Sequence, residues 1–169
     1  MKNVFTAAGC ALIVSACATV EPDGPSALAV VRPASGSQVH GDARFTQVGS
    51  RVRVKAEIAG LTPGAHGFHI HEKGDCSAAD GMSTGGHFNP QAKKHGAPNM
   101  PDRHAGDLGN LTADQYGKAT LTLMVDGISV GKGADGIVGR GLIVHANADD
   151  LKTDPTGNAG GRYGCGVIE

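Results

Sequence analysis

The sequence predicts an all-β domain, either a β-sandwich or a β-barrel. Glycine is abundant, with 27 of the 169 residues, and it is scattered between short apolar runs, as in chains with many tight turns. Several of these runs alternate apolar and polar residues with the period of a half-buried strand, and no stretch shows convincing helical periodicity. These observations favour short antiparallel strands over a helical bundle.

The N-terminal stretch MKNVFTAAGCALIVSAC is predicted to be an export signal rather than part of the fold. One cation, Lys2, precedes an apolar stretch at residues 4–14, which has the length of a signal-peptide core and is too short to span a bilayer. The small residues before Cys17 resemble a bacterial lipobox, where the signal is cut before a cysteine that then carries lipid. The alternative is a plain secretory signal cut near Ala18.

These features define the expected organisation of the chain. Residues 1–16 are the signal peptide, and residues 17–26 are the lipidated Cys17 followed by a flexible tether, because ATVEPDGPS holds prolines and a glycine and little to bury. The folded domain is expected to span residues 27–169. An exported protein attached to the bacterial cell envelope by lipid, at the outer membrane or in the periplasm, follows from this interpretation.

Four segments show the clearest strand patterns. Residues 51–61 (RVRVKAEIAGL) and 118–125 (KATLTLMV) alternate strictly, which is typical of antiparallel strands with one buried face. Residues 141–147 and 164–169 are expected to form further short strands. The pattern breaks down between residues 71 and 116 and again between 147 and 163. Both segments are rich in glycine, asparagine and aspartate, so we expect two long functional loops.

Charge and composition exclude one class of partner. The formal net charge is -1 and the sequence pI is about 6.7, without the basic excess typical of proteins that bind nucleic acid. Eight histidines are many for this length, but their placement matters more than their number.

The placement of the histidines suggests metal binding. His69 and His71 are two residues apart in a predicted strand and so share one face, where they form either a chelating pair or the wet face of an ordinary strand. The following loop carries three imidazoles and a carboxylate, a donor set that suits a closed tetrahedral zinc site: His87, His95, His104 and Asp107. His145, in an apolar strand, is either a core residue or a third partner of His69 and His71 in an all-imidazole site that suits copper or zinc.

The cysteines predict one disulfide. Cys10 leaves with the signal and Cys17 carries lipid, so Cys76 and Cys165 remain in an oxidising compartment. A Cys76–Cys165 bridge is the simple expectation, and two free thiols are the alternative.

Six motifs together resemble the copper,zinc superoxide dismutase family. They are GFHIHEKGDC, GGHFNP, KKHG, DRHAGDLGN, GLIVHANADD and GNAGGRYGCGVI, and they follow the order and spacing of that family over residues 27–169. The resemblance is to the bacterial exported form, although RHAGDLGN and GNAGGR are closer to the animal pattern and the charged loop before Arg162 is abridged. It implies an eight-stranded Greek-key barrel and copper and zinc as cofactors.

The resemblance also implies a role for each site residue. Copper would be bound by His69, His71, His87 and His145, and zinc by His87, His95, His104 and Asp107. His87 would bridge the metals as an imidazolate and would take part in catalysis, because two flanking cations make the loss of both ring protons feasible. Asp149 would accept hydrogen bonds from His69 and His95, and Arg162 would guide the anionic substrate, unless it only braces its loop. His66 would be structural, and His40 matches no ligand position.

The implied reaction converts two superoxide anions and two protons into dioxygen and hydrogen peroxide. An alternative is a non-catalytic copper- and zinc-binding lipoprotein of the envelope, since relatives without activity exist. The expected partners are superoxide and the membrane, the latter through the lipid anchor alone, and a homodimer is compatible with the family.

Overall fold

The computed structural model describes residues 23–169, and these residues form eight strands. The strands are β1 (Asp23–Pro33), β2 (His40–Val48), β3 (Arg51–Ala59), β4 (Gly64–His71), β5 (Asp107–Ala113), β6 (Ala119–Val125), β7 (Gly141–His145) and β8 (Arg162–Val167). A short 3-10 helix, Met82–Thr84, lies in the long loop between β4 and β5. Across the described residues, no helix is long and apolar enough to cross a membrane.

The strands form one sheet that curls into a nearly closed barrel. Their spatial order is β5-β4-β7-β8-β1-β2-β3-β6, and every ladder is antiparallel. The long β1 joins the two halves, because its first part pairs with β2 and its last residues, Arg32 and Pro33, pair with β8. The predicted all-β Greek-key barrel is therefore confirmed.

The alternation in the sequence follows the barrel wall. In β3, Val52, Val54, Ala56 and Ile58 are buried, and the residues between them are exposed or partly exposed. Phe45 on β2, Phe68 on β4 and Leu142 on β7 are fully buried and fill the interior. The barrel thus encloses one main apolar core, and the polar site lies outside it, between strands β4 and β7 and the long loops.

The expected boundary between tether and domain was wrong. β1 begins at Asp23, four positions before the predicted start at residue 27, and Ser26 pairs with Thr46 of β2. Strand pairing uses backbone groups, so a segment with few apolar side chains can extend an edge without adding to the core. Asp23 also forms an ion pair with Arg53. Residues 1–22, with the predicted signal, Cys17 and the start of the tether, lie outside the described residues.

The first predicted loop is shorter than the sequence suggested. β5 occupies residues 107–113 and pairs with β4, with Gly64 opposite Ala113 and His66 opposite Leu111. Two of its positions, Asp107 and Asn110, carry polar side chains that serve the site, which hides the strand pattern in the sequence. The two loops that build the site are residues 72–106, here called the first site loop, and residues 146–161, the second site loop.

A disulfide connects the first site loop to the barrel. Cys76 is bonded to Cys165 of β8, as predicted, and the bridge spans 89 residues of sequence. It restricts a loop that has little apolar surface of its own. The residue three positions before Cys165 is Arg162, so the bridge also fixes this loop next to a predicted site residue.

The length of this closed loop predicts its stabilising effect. Replacing both cysteines (Cys76→Ser with Cys165→Ser) should lower the free energy of unfolding of the metal-free protein by about 4 kcal/mol, because the unfolded chain regains loop entropy. Urea unfolding of both proteins measures the difference. Reductant should destabilise the native protein to a similar extent and leave the double variant unchanged. Equal stability of the two proteins without reductant would contradict this account.

Candidate metal centre

The structure brings the predicted ligands together in two clusters that share one residue. The first contains His69, His71, His87 and His145, and the second contains His87, His95, His104 and Asp107. In each cluster the possible ligand atoms lie within 4.8 Å of one another, and every member is buried. The wet-face interpretation of His69 and His71 is therefore wrong, since these side chains are 0% and 1% exposed.

Strands β4 and β7 set the first cluster. They pair antiparallel, with His69 opposite Ile143 and His71 opposite Gly141, and His145 ends β7. His87 comes from the first site loop, whose backbone forms an isolated bridge with His71. Three histidines on two paired strands thus form a cluster with one loop residue.

The first cluster contains nitrogen atoms that lack partners. His69 Nδ1 and the Nε2 atoms of His71, His87 and His145 are buried and have no hydrogen-bond partner among residues 23–169. The opposite ring nitrogens contact oxygens: Asp149 at 2.7 Å, the Gly85 carbonyl at 3.0 Å, Asp107 at 2.9 Å and the Gly160 carbonyl at 3.2 Å, in the same residue order. For His69, His71 and His145 these oxygens accept the ring proton, so the inner nitrogens present lone pairs to one another, whereas His87 Nδ1 belongs to the second cluster. A bound cation satisfies such an arrangement.

The second cluster has the dimensions of a tetrahedral site. Asp107 Oδ1 lies 2.9 Å from His87 Nδ1, 3.1 Å from His95 Nδ1 and 3.2 Å from His104 Nδ1. The Nδ1 atoms of His87 and His104 are 3.4 Å apart. Ligands about 2.0 Å from a tetrahedral zinc ion stand about 3.3 Å from one another. The four atoms are therefore spaced as ligands around one ion.

Asp149 connects the two clusters. Its Oδ2 accepts a hydrogen bond from His69 Nε2 at 2.7 Å, and its Oδ1 accepts one from His95 Nε2 at 2.8 Å. The predicted hydrogen bonds are thus confirmed. Because each bond fixes which ring nitrogen carries the proton, one carboxylate orients a histidine in each cluster.

Arg162 lies at the start of β8, beside the first cluster. Its Nη1 donates to the Gly81 carbonyl at 2.9 Å and to Thr84 Oγ1 at 2.7 Å, so the 3-10 helix of the first site loop holds the guanidinium. The residue is half-buried. It therefore braces the loop, as one interpretation expected, and it also places a fixed positive charge near the histidines.

Comparison with known proteins agrees with this geometry. Residues 39–168 match the sequence model of the family described as copper/zinc superoxide dismutase (SODC). The chain belongs to this family. Its fold also matches a solved structure titled as that of the clock protein EA4, with 45% sequence identity and a TM-score of 0.77. That similarity covers 89% of this chain and 95% of the other.

Copper and zinc are the cofactors of this superoxide dismutase family, and the residues present fit both. The four inner nitrogens of the first cluster have no partner within the described residues, and the second cluster offers three nitrogens and one carboxylate oxygen at tetrahedral spacing. Imidazole suits both copper and zinc, and a closed set with one carboxylate is typical of structural zinc.

Burial keeps the first cluster neutral. It lowers the pKa of His69 to about 4, even though the hydrogen bond to Asp149 acts in the opposite direction. Burial is also the main cause of the lowered pKa values of His71 and His145, and the positive charge of Arg162 contributes to both shifts. Neutral imidazoles are the form that binds metal ions, so few protons compete with a metal near neutral pH.

Two carboxylates determine the pKa values in the second cluster: Asp107, which is a member of it, and Asp149, which bonds to His95. Burial would raise the pKa of Asp107, but the close contacts with the imidazoles of His104, His87 and His95 outweigh it and hold that pKa well below its usual range. Burial likewise opposes protonation of His95, yet Asp107 and Asp149 raise the pKa of this residue to about 9. Metal binding here must displace a proton from His95.

Several supporting residues escaped the sequence analysis. Asn110 holds Asp149 by two backbone contacts, at 2.8 and 2.9 Å, and Asp154 accepts a hydrogen bond from the His95 backbone at 2.8 Å. Gly157 has a φ of +60°, and a Cβ there would lie 1.9 Å from Asp149 Oδ1. Asn110 and Gly157 lie within two of the family motifs, but the motifs do not reveal their contacts with Asp149. Thr84 lies in no quoted motif and had no signal.

The two remaining histidines behave as expected. His66 is buried, with its Nδ1 2.9 Å from the His145 carbonyl and its Nε2 beside the hydroxyl and the carbonyl of Thr62, at 3.2 and 2.9 Å, so its contacts are structural. His40 is exposed and donates to the Gln38 carbonyl.

The shared carboxylate predicts a coupled loss of both metals. Asp149→Asn should lower the affinity for each metal by about 10- to 100-fold. The carboxylate accepts one hydrogen bond with each of its oxygens, from His69 and from His95, whereas an amide has one oxygen and turns its amino group toward the other histidine. Competition with a chromophoric chelator measures each affinity.

Asp150→Asn is the matched control for this test. Among the described residues, the Asp150 carboxylate bonds only within its own loop, to Lys152, Thr153 and Asn158. Its replacement should leave both affinities close to those of the unaltered protein. A loss of one metal alone in Asp149→Asn would show that the carboxylate does not couple the clusters.

Proposed function

We propose that this protein dismutates superoxide, converting two superoxide anions and two protons into dioxygen and hydrogen peroxide. Copper occupies the four-histidine cluster, and zinc occupies the cluster that contains Asp107. The observation that carries the proposal is the set of four unpartnered imidazole nitrogens beside the fixed charge of Arg162. The family assignment supports it, since the complete ligand sets of both metals are present in this chain.

The donors support this distribution of the metals. An all-imidazole set without a carboxylate suits copper, whereas three imidazoles and a carboxylate at tetrahedral spacing suit zinc. When bound, copper supplies a one-electron couple that oxidises one superoxide anion and reduces the next. Residues of the chain attract the substrate and move the proton.

Arg162 attracts and orients the substrate. Its hydrogen bonds to the described chain use Nη1 alone, so other donors of the guanidinium remain for a small anion. A fixed charge focused in a channel raises the arrival rate of small anions, and superoxide dismutase is itself a standard case of such guidance. The anchor on Thr84 and Gly81 keeps this charge in place between encounters.

His87 holds and moves a proton. Its Nδ1 belongs to the second cluster, at 2.9 Å from Asp107, while its Nε2 faces the first cluster without a partner. We assign to Nε2 the uptake of a proton between the two superoxide anions and its return as peroxide forms. Asp107 and the zinc set hold the ring in place while its Nε2 changes protonation.

The expected location follows from the N-terminal sequence. We propose that the protein is exported, carries lipid on Cys17 and removes superoxide outside the cytoplasm at the cell envelope. The Cys76–Cys165 disulfide supports this, because such bridges persist in oxidising compartments.

Removal of the guiding charge tests the enzymatic proposal. Copper- and zinc-loaded protein should consume superoxide, and Arg162→Gln should lower kcat/KM by about 10-fold or more while metal content stays the same. The rate should also become less sensitive to ionic strength, because the attracting charge is gone. Rapid-mixing or pulse assays over a range of salt concentrations measure both effects.

Arg44→Gln provides a control with the same change in net charge. Arg44 is exposed on β2, so its loss should alter kcat/KM little. If the unaltered protein holds both metals in full yet shows no turnover, the enzymatic proposal fails and the non-catalytic metal-binding alternative is supported instead.

Membrane attachment is tested separately. Cys17→Ser should move the protein from the membrane fraction to the soluble exported fraction, because the acceptor for lipid is lost. Cys10→Ser is the control and should leave the distribution unchanged. Retention of the Cys17 variant in the membrane fraction would contradict the lipobox interpretation.

A further inference from the structure

Arg140 connects three segments next to the histidine clusters. It is half-buried and precedes β7 directly. Its Nε donates to the Gly136 carbonyl at 2.6 Å, and its Nη1 donates to the Glu72 carbonyl at 3.1 Å. The guanidinium carbon lies 3.5 Å from the centroid of the Phe88 ring. Two of these partners, Glu72 and Phe88, each follow a histidine of the first cluster.

The contact with Phe88 acts on the segment that carries His87. The Phe88 backbone N–H donates to the Ile70 carbonyl at 2.8 Å, and its carbonyl accepts from Gly106 at 2.9 Å. The Phe88 side chain is 3% exposed. Its ring is therefore enclosed between the core and the guanidinium, which limits rotation of the backbone on one side of His87.

The contact with Glu72 acts on the segment that carries His71. The Glu72 N–H donates to the Gly86 carbonyl at 3.0 Å, so this residue extends β4 toward the first site loop. Its own carbonyl accepts from Arg140. The isolated bridge between His71 and His87 thus lies one residue from each of the two contacts that Arg140 makes.

We infer that Arg140 is a positioning residue that sets the mutual placement of His71 and His87. It touches neither metal cluster nor substrate in this role, and it acts through the two residues that follow these histidines. The inference rests on the proposed binding of copper by the four-histidine cluster. It assigns to this arginine the copper geometry, whereas Arg162 serves the substrate.

The geometry requires a guanidinium rather than a positive charge alone. The planar group lies over an aromatic face while its edge donates in two directions, to Gly136 and to Glu72. A lysine ammonium is a compact charge that cannot cover the ring and reach both carbonyls together. Arg140→Lys therefore keeps the charge but loses the combined contacts with Gly136, Glu72 and Phe88. Arg140→Met keeps only the apolar stem of the side chain.

The copper spectrum is the decisive measurement. Each variant is loaded with zinc and then copper, and the Cu(II) electron paramagnetic resonance spectrum is recorded together with copper retention against a chelator. We expect a changed copper hyperfine splitting in both variants and about 10-fold weaker copper retention. If Arg140→Met does not fold, Arg140→Lys decides the matter alone.

Val138→Ala is the control for lost stability. Val138 lies in the same loop as Arg140 and packs against the core. Its truncation should lower Tm and leave the copper spectrum unchanged. Spectra of the Arg140 variants that match the unaltered protein would overturn the inference, and so would a Val138→Ala spectrum that changes as much as theirs.

This test is independent of turnover. The spectrum and the retention of copper are measured without superoxide. If the protein binds both metals but is inactive, the proposed reaction is refuted, and the spectra of the variants still test the role of Arg140. A four-histidine cluster that fails to retain copper in the unaltered protein would refute the metal assignment and, with it, this inference.

Discussion

The structure depends on one constraint: buried imidazole nitrogens need partners, and in five of these rings the described residues supply a partner to only one of the two nitrogens. In the part of the chain that the structure describes, five ring nitrogens are buried without a hydrogen bond, and all of them point into the two clusters. Leaving one buried polar group unsatisfied costs about 1–3 kcal/mol, so the arrangement is unfavourable until cations occupy it. Metal binding would therefore also stabilise the first site loop, which carries His87 and His95.

The barrel and the loops share this task unequally. Strands β4 and β7 pair regularly at His69 and His71, and His145 follows this ladder at the end of β7. The remaining ligands come from the first site loop and from Asp107 at the start of β5. Chain segments without a core need other anchors, and the disulfide to Cys165 and the bond from the His95 backbone to Asp154 serve as such.

The two clusters differ in the protonation that their surroundings favour. Burial dominates the first cluster and keeps its imidazoles neutral, whereas two carboxylates dominate the second and raise the pKa of His95 to about 9. Asp149 accepts a hydrogen bond from one histidine of each cluster. The two arginines act at different places: Arg162 brings charge to the first cluster, and Arg140 joins the segments behind it.

The sequence alone determined the fold class, the two groups of ligands, the disulfide and the family, because alternation and motif spacing are local properties that a single chain displays. It did not determine where β1 begins or that β5 lies inside the predicted loop, since backbone pairing depends on a neighbouring strand and polar site residues hide the period. Thr84, Asn110 and Arg140 gain their roles only in the tertiary structure. Their partners are distant in the chain, and the contact of Arg140 with Glu72 arises only when the barrel brings these segments together.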